Sequence, residues 1–217
     1  MRFENRRQAG QELAERLLQW AGDIDLTDGL VLALPRGGVP VAAEIAKALH
    51  LPLDVVVARK IGVPGSPEVG VGAIVGEEPP VFDRLALRTL RLSEDRLGSD
   101  VARERLELHR REALYRKGSP PPRVAGRVVL LVDDGLATGG TARAALRHLR
   151  GQGPARLILA VPVGSPDTVE ALREEADDVL CVHVPRRFSS VGEWYGDFDQ
   201  VSDGEVISTL RNVRSGV

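Results

Sequence analysis

Two adjacent carboxylates followed by a glycine–threonine loop are the residues of this chain best suited to chemistry. Asp133 and Asp134 follow the apolar run 128–132, whose length and β-branched content predict a buried strand. The loop ATGGT (137–141) then leads into a predicted helix over 140–150. Its backbone N–H groups would lie at the positive end of that helix, where glycines let an anion approach closely. Carboxylates suit vicinal hydroxyls, so the spacing predicts a site for a ribose 5-phosphate.

Other phosphate-binding loops are excluded by the same residues. No lysine follows the second glycine, so the loop is not the GxxxxGK[ST] loop of nucleotide hydrolases, and the dinucleotide pattern GxGxxG is absent. A turn with helix-capping residues would be the simpler explanation of an isolated DDG. The full run from Val128 to Thr141 favours the binding site.

Composition describes a single globular domain over residues 1–217. The chain is 43% hydrophobic and 28% charged, with a net charge of −2, so no basic field predicts a nucleic-acid partner. No apolar run approaches the roughly 20 residues of a membrane span, and the N-terminus leads into no signal-peptide core. Cys181 is the single cysteine, which excludes an intrachain disulfide or a multi-cysteine metal site. We expect a cytoplasmic protein with no membrane partner.

Strands and helices alternate along most of the chain. The predicted strands contain almost no polar residue, which indicates a mainly parallel sheet covered on both faces, in a doubly wound α/β fold. A strongly charged helical insertion is predicted at about 83–117. Within it, the helix over 93–117 is predicted to form a solvated or subunit-facing surface. The other predicted helices cover 5–20, 39–50, 140–150 and 169–176, and the strands cover 29–34, 53–58, 128–132, 156–163 and 177–184. Ligands of such folds bind beyond the carboxyl ends of the strands, which directs attention to PRGG, RKIGVPG and DDGLATGGT.

The segment Val128–Thr141 resembles the phosphoribosyl-diphosphate (PRPP) motif of type I phosphoribosyltransferases. Together with LPRGG and RKIG, it makes the chain similar to bacterial phosphoribosyltransferase-domain proteins of poorly defined acceptor. The resemblance implies the type I fold with a small hood, and it places Asp133 and Asp134 on the ribose hydroxyls as catalytic residues. It assigns the 5-phosphate to Ala137, Thr138, Gly139, Gly140 and Thr141.

The same resemblance assigns the pyrophosphate to two further segments. Gly37 and Gly38 would present backbone N–H groups, Arg36 would offer a fork of donors and a catalytic charge, and the Pro35–Arg36 peptide would be cis. A plain turn is the alternative for PRGG. Arg59 would bind pyrophosphate and Lys60 would be catalytic, both in a mobile lid; a solvated pair at a strand end is the alternative.

The predicted hood, about 184–201, holds four of the eight aromatic residues of the chain. Phe188, Trp194 and Tyr195 would stack on a flat base, or the cluster would pack the hood against the core or another subunit. Ala137 stands where 6-oxopurine transferases carry aspartate, which argues against hypoxanthine or guanine as acceptor.

The resemblance therefore implies a transferase that uses PRPP as its Mg²⁺ complex and releases pyrophosphate. The ion would bridge diphosphate and ribose oxygens near Asp133 and Asp134. The acceptor would be a small nitrogenous compound such as a nucleobase, and a homodimer is expected. Two alternatives remain open: a non-catalytic PRPP-sensing regulator of the same fold, and an enzyme that uses a different phosphorylated sugar.

Overall fold

A five-stranded parallel sheet forms the centre of the protein, as the sequence predicts. The structure is a computed structural model that describes residues 2–22 and 25–215, apart from the side chains at 67 and 68. Two 3-10 turns also occur, at Glu94–Leu97 and Gly192–Trp194. The elements are α1 (Arg6–Trp20), β1 (Leu30–Ala33), α2 (Gly38–Leu49), β2 (Leu53–Val55), β3 (Ala58–Val63), β4 (Ser66–Val75), β5 (Val81–Phe82), α3 (Arg84–Thr89), α4 (Gly98–Arg116), β6 (Val128–Val132), α5 (Gly140–Gly151), β7 (Arg156–Val163), α6 (Pro166–Leu172), β8 (Asp178–His183) and α7 (Asp203–Ser215).

Side chains alternate between two apolar layers, one on each face of the sheet. In β1, Val31 and Ala33 join the core formed with α1, α2, α4 and α7, whereas Leu30 and Leu32 join the core formed with α5 and α6. Helices on both faces remove the strands from water, so neither face tolerates polar residues. This explains the continuous apolar runs in the sequence.

The strand order β2–β1–β6–β7–β8 fixes where a ligand binds. The chain moves from β1 to β2 on one side, and β6 then pairs with the other edge of β1 in parallel register. The loops after β1 and β6 therefore leave the sheet side by side at its carboxyl edge, in opposite directions. A crevice at such a switch point is the usual ligand site of a doubly wound sheet.

The predicted strand 53–58 is wrong as a single element. β2 ends at Val55, and β3 begins at Ala58 in a separate antiparallel sheet of order β3–β4–β5. Arg59 and Lys60 explain the break, because charged side chains in β3 do not fit a sheet covered on both faces by helices. β3 and β4 form a hairpin whose turn contains Gly65 at φ 81°, a left-handed conformation that favours glycine.

The charged segment predicted at 83–117 is helical, as expected, but one of its faces is part of the core. Leu97, Leu108 and Tyr115 are almost fully buried against the α1–α2–α7 side of the sheet. α7 completes that layer and is absent from the sequence prediction. Over the described residues, no helix is long and apolar enough to cross a membrane.

Candidate active site

The loops after β1 and β6 are in direct contact. Gly37 lies so close to Asp134 that a Cβ added at Gly37 would overlap the carboxylate. A Cβ at Gly38 would lie 2.6 Å from the carbonyl oxygen of Val132. The Pro35–Arg36 peptide is cis, as predicted. The two segments assigned from the sequence to diphosphate and to ribose thus form one site, and glycine is what allows their approach.

Asp133 and Asp134 form a partly buried acidic pair. The backbone N–H of Asp134 donates to Asp133 Oδ1 at 2.8 Å. Burial raises the pKa of both carboxyls, and the neighbouring charge of Asp134 raises the pKa of Asp133 further. For Asp134, a hydrogen bond from Arg6 opposes this shift. Little positive charge therefore surrounds the two carboxyls, and binding of a ligand that donates hydrogen bonds to them would be favoured.

Arg6 supplies that positive partner and is missed by the sequence analysis. Its Nε donates to Asp134 Oδ2 at 2.8 Å, and the Arg6 side chain is only 11% exposed. The sequence does contain a pattern that could have indicated a role for Arg6. Two consecutive arginines begin α1, and its first turn has no acidic residue. Basic residues at a helix N-terminus oppose the helix dipole, which suggests that they are placed there for another purpose.

The predicted 5-phosphate loop has the backbone geometry of an anion site. Gly139 takes φ 71° and immediately precedes α5, whose first residue is Gly140. The carbonyl oxygen of Ala137 accepts hydrogen bonds from the hydroxyls of Thr168 at 2.6 Å and Ser165 at 3.2 Å, which hold the start of the loop. The N–H groups of the first turn of α5 can then bind an anion at the positive end of the helix.

A cavity of about 590 Å³ opens beside this loop. It lies between the small sheet and α5, and its lining includes Lys60 from β3. Gly70 makes room there, since a Cβ would lie 2.8 Å from Lys60 Cδ. Its lining also includes Thr138, Gly140, Thr141, Arg84, Arg143 and Arg147, with Asp83 as its acidic residue. The excess of cations fits a phosphorylated ligand.

The two arginines that were predicted to bind pyrophosphate make different contacts. Arg36 lies after β1 as expected, with Nη1 3.9 Å from Oδ1 of Asp203 at the start of α7. Arg59 instead makes a forked ion pair with Glu104 of α4, through Nη2 at 2.6 Å and Nε at 3.0 Å. In this structure Arg59 braces the small sheet against α4, while Lys60 lines the cavity.

The aromatic cluster of the hood packs against the N-terminal segment. Tyr195 is 4% exposed, its hydroxyl donates to the carbonyl oxygen of Asp134 at 2.6 Å, and its ring stacks on Phe198 with centroids 5.0 Å apart. Packing thus covers the Tyr195 ring, which agrees with the alternative that the sequence left open, while stacking on a base stays a prediction. Trp194 stacks on His183, and Phe188 lies at the edge of the same cluster.

The hood also packs against the loop that follows the acidic pair. A Cβ at Gly135 would lie 2.6 Å from Cγ1 of Val191. The backbone of Phe3 donates to the carbonyl of Trp194 and accepts from the N–H of Gly196. The first residues of the chain and the hood thus form a single layer beside the site.

The donor set of the site fits a magnesium ion that arrives with its substrate. Asp133 and Asp134 are hard oxygen ligands, but within the part of the chain that the structure describes no three metal-ligating side chains come together. Mg²⁺ in proteins often rests on one or two carboxylates, water and the phosphates of the substrate. The carboxylates of Asp133 and Asp134 suit that arrangement.

A doubly wound parallel sheet with an acidic pair and two glycine loops at its switch point is the architecture of a type I phosphoribosyltransferase. The chain belongs to the phosphoribosyl transferase domain family, whose pattern matches residues 3–194. This confirms the family resemblance predicted from the sequence.

Individual relatives agree with this assignment. A Mycobacterium tuberculosis protein that bears the name putative phosphoribosyl transferase is 42% identical over 208 residues, or 96% of this chain. The chain spans 46% of the length of that relative. A uracil phosphoribosyltransferase from Clostridium beijerinckii is 42% identical over 59 residues, which are 27% of this chain and 28% of that protein. The crystal structure of TT1426 from Thermus thermophilus has a TM-score of 0.80 and 43% identity, covering 98% of this chain and 99% of that one.

Proposed function

We propose that the protein transfers the 5-phosphoribosyl group of PRPP to a small nitrogenous acceptor and releases pyrophosphate. The observation that carries the proposal is the contact between Gly37 and the carboxylate of Asp134. It brings a loop suited to diphosphate into contact with a carboxylate suited to sugar hydroxyls, so that one sugar diphosphate can use both. The family match supports the same chemistry.

Each end of the sugar has a partner of matching chemistry. Asp133 and Asp134 accept hydrogen bonds from the ribose 2′ and 3′ hydroxyls. Partly buried carboxylates gain from such donors, because few water molecules reach them. The segment 137–141 binds the 5-phosphate through backbone N–H groups at the start of α5. Binding at both ends fixes the position of the anomeric carbon between them, which lowers the entropic cost of reaction.

Charge stabilisation accounts for the departure of pyrophosphate. The bond between C1 and the diphosphate oxygen breaks with its electron pair going to oxygen, and the acceptor nitrogen forms the new bond to C1. Arg36 and the N–H groups of Gly37 and Gly38 hold the leaving diphosphate. Lys60 lines the cavity beside the 5-phosphate loop. Bound Mg²⁺ would neutralise diphosphate charge near the acidic pair. The carboxylates of the pair stabilise the positive charge that develops on the sugar.

The acceptor is proposed to be a nitrogen heterocycle other than a 6-oxopurine. Ala137 offers no acid–base group, and its side chain lies at the exposed start of the phosphate loop. The local similarity to a uracil phosphoribosyltransferase makes pyrimidines the first compounds to test. A screen of nucleobases and small heterocycles for pyrophosphate release identifies the acceptor.

Calorimetry tests the PRPP site directly. We expect PRPP to bind the protein in the presence of Mg²⁺, and the Asp133→Asn/Asp134→Asn double variant to lose this binding. Asp177→Asn is the matched control, since Asp177 lies in the turn before β8 and pairs with Arg150. Equal PRPP affinity in the double variant and the wild type would refute the proposal. Ribose 5-phosphate that binds as tightly as PRPP would favour a different phosphorylated sugar as substrate.

A PRPP-sensing regulator is the second candidate, and the hood favours it. Val191 and Tyr195 cover Gly135 and Asp134 on the side where an acceptor would approach. A sensor binds PRPP but releases no pyrophosphate with any acceptor in the screen. An enzyme opens this side and turns over, so the two candidates are separated by one assay.

A further inference from the structure

We propose that Arg6 is a positioning residue for the reaction above, acting on the sugar through Asp134 and joining that carboxylate to the closed hood. The inference rests on the proposed function, because the role of Asp134 there is to hold the ribose. Arg6 lies outside both the phosphate loop and the diphosphate loop. It comes from the first position of α1, 128 residues away in sequence.

The guanidinium of Arg6 is fixed on three sides. Its Nε donates to Asp134 Oδ2 at 2.8 Å, and its Nη1 donates to the carbonyl oxygen of Asp199 at 2.8 Å. Its central carbon lies 3.9 Å from the ring centroid of Phe198, a distance at which a cation is attracted to an aromatic face. A planar group held in this way can keep its hydrogen-bond partner in one orientation.

Asp134 needs such a partner because its other neighbours do not supply positive charge. Asp133 is a carboxyl, and Tyr195 donates to the backbone carbonyl rather than to the carboxylate. Gly37 packs directly against the carboxylate and leaves it little room to rotate. Arg6 therefore balances the charge of the carboxylate and fixes its direction toward the sugar.

The contacts of Arg6 also connect the sugar site to the hood. Phe198 and Asp199 belong to the hood, and Phe198 stacks on Tyr195, which is bonded to Asp134. Asp134 is thus connected to the hood along two routes, one through Arg6 and one through Tyr195. Both routes reach Phe198. A surface arginine that served only helix solubility would have none of these partners.

Arg7 provides a matched control on the same helix. Its side chain is 73% exposed, and its Nε lies 3.7 Å from Oε1 of Glu44, which is not part of the acidic pair. Arg6→Gln and Arg7→Gln remove the same charge from adjacent positions. Arg6→Lys keeps the charge but loses the planar fork that serves Asp134 and Asp199 together.

The experiment measures PRPP affinity and turnover for the wild type and the three variants, with thermal unfolding as the check on folding. We expect Arg6→Gln to weaken PRPP binding by about tenfold or more, as for loss of a hydrogen bond to a charged group, and Arg6→Lys to restore part of it. Arg7→Gln should match the wild type. Unchanged or tighter PRPP binding by folded Arg6→Gln would overturn the proposal.

A second measurement does not depend on PRPP. Trp20 and Trp194 are the two tryptophans of the chain, so in a Trp20→Phe background the fluorescence reports on Trp194 in the hood. We expect Arg6→Gln, and not Arg7→Gln, to increase quenching of Trp194 by acrylamide, because the hood loses the contacts of Asp199 and Phe198 with the Arg6 guanidinium. Equal quenching in both would overturn the coupling. If the wild type fails to bind PRPP, the proposed function fails, while the fluorescence still tests the connection between Arg6 and the hood.

Discussion

Arg36, in the loop after β1, faces Asp203 at the start of α7, with 3.9 Å between Nη1 and Oδ1. The carboxylate also accepts a hydrogen bond from the hydroxyl of Tyr115 at 2.5 Å and one from Arg110 Nη2 at 3.4 Å. Asp203 therefore balances Arg36 without forming a close ion pair with it. Such a spacing leaves the guanidinium able to bind a diphosphate.

The first prediction separates the two arginines that surround Asp203. Arg36→Gln should weaken the binding of inorganic pyrophosphate by about tenfold, because a charged donor to the ligand is lost. Arg110→Gln should leave it unchanged, since Arg110 lies on α4 and pairs with Glu107 and Asp203. Competition by pyrophosphate against PRPP gives both affinities. Equal losses in the two variants would show that general charge, rather than the loop after β1, attracts the ligand.

The second prediction concerns the space between the two loops. Gly37→Ala should destabilise the protein by about 1–3 kcal/mol and remove PRPP binding, since the new methyl group would displace the Asp134 carboxylate. Gly98→Ala is matched to it, because both glycines lie at a helix start with φ near −60° and Gly98 has nothing within 4 Å of an added Cβ. Thermal unfolding should show Gly98→Ala as neutral or slightly more stable. A stable Gly37→Ala protein with normal PRPP affinity would contradict the contact.

The third prediction follows from the raised pKa of Asp133. The unfolded chain loses this proton near the ordinary value of 3.8, while the folded protein retains it to higher pH. Ionisation therefore costs stability, and the cost increases as the pH rises from the ordinary pKa towards the folded pKa. Asp133→Asn should be more stable than the wild type near neutral pH, and the difference should shrink on acidification. Denaturant unfolding across a pH series measures it.

Asp177 gives the opposite sign and serves as the control for that series. Its pKa is lowered, first by the hydrogen bond from Arg150, so its contribution to stability is present above the ordinary carboxyl pKa and is lost as the pH falls. Asp177→Asn should thus be less stable than the wild type near neutral pH, with the difference shrinking in acid. Differences of the same sign for the two variants near neutral pH would show that they do not come from the local pKa shifts.

The fourth prediction distinguishes the adjacent cations of β3. Lys60→Gln should lower turnover, because Lys60 lines the cavity beside the phosphate loop. Arg59→Gln should mainly lower stability, since its ion pair with Glu104 joins the small sheet to α4. Steady-state kinetics and thermal unfolding on both variants provide the comparison. Loss of turnover in Arg59→Gln alone would reverse the two roles.

Local pattern was sufficient to predict the elements around the site. β6 and β7 match their predicted bounds because a strand buried on both faces is a continuous apolar run, and α5 begins where the glycine loop ends. The missing α7 had a visible pattern, with Val206, Leu210 and Val213 on one buried face. The family and the fold also followed from the resemblance, which the family match confirms.

The partners of the site residues could not be predicted in the same way. Arg6 and Asp203 reach Asp134 and Arg36 across the fold, and no local spacing connects them. The break after Val55 likewise depends on where β3 finds an antiparallel partner. The ligand roles of the site residues, the homodimer, the cytoplasmic location and the absence of nucleic-acid partners stay predictions.

The pairing of Phe3 with Trp194 and Gly196 has a consequence for engineering and for inheritance of specificity. A hood exchanged alone between two such proteins would arrive without the backbone donor and acceptor on which it rests. We therefore expect a chimaera to fold and to keep its ligand preference only when it exchanges the hood together with the N-terminal segment around Phe3.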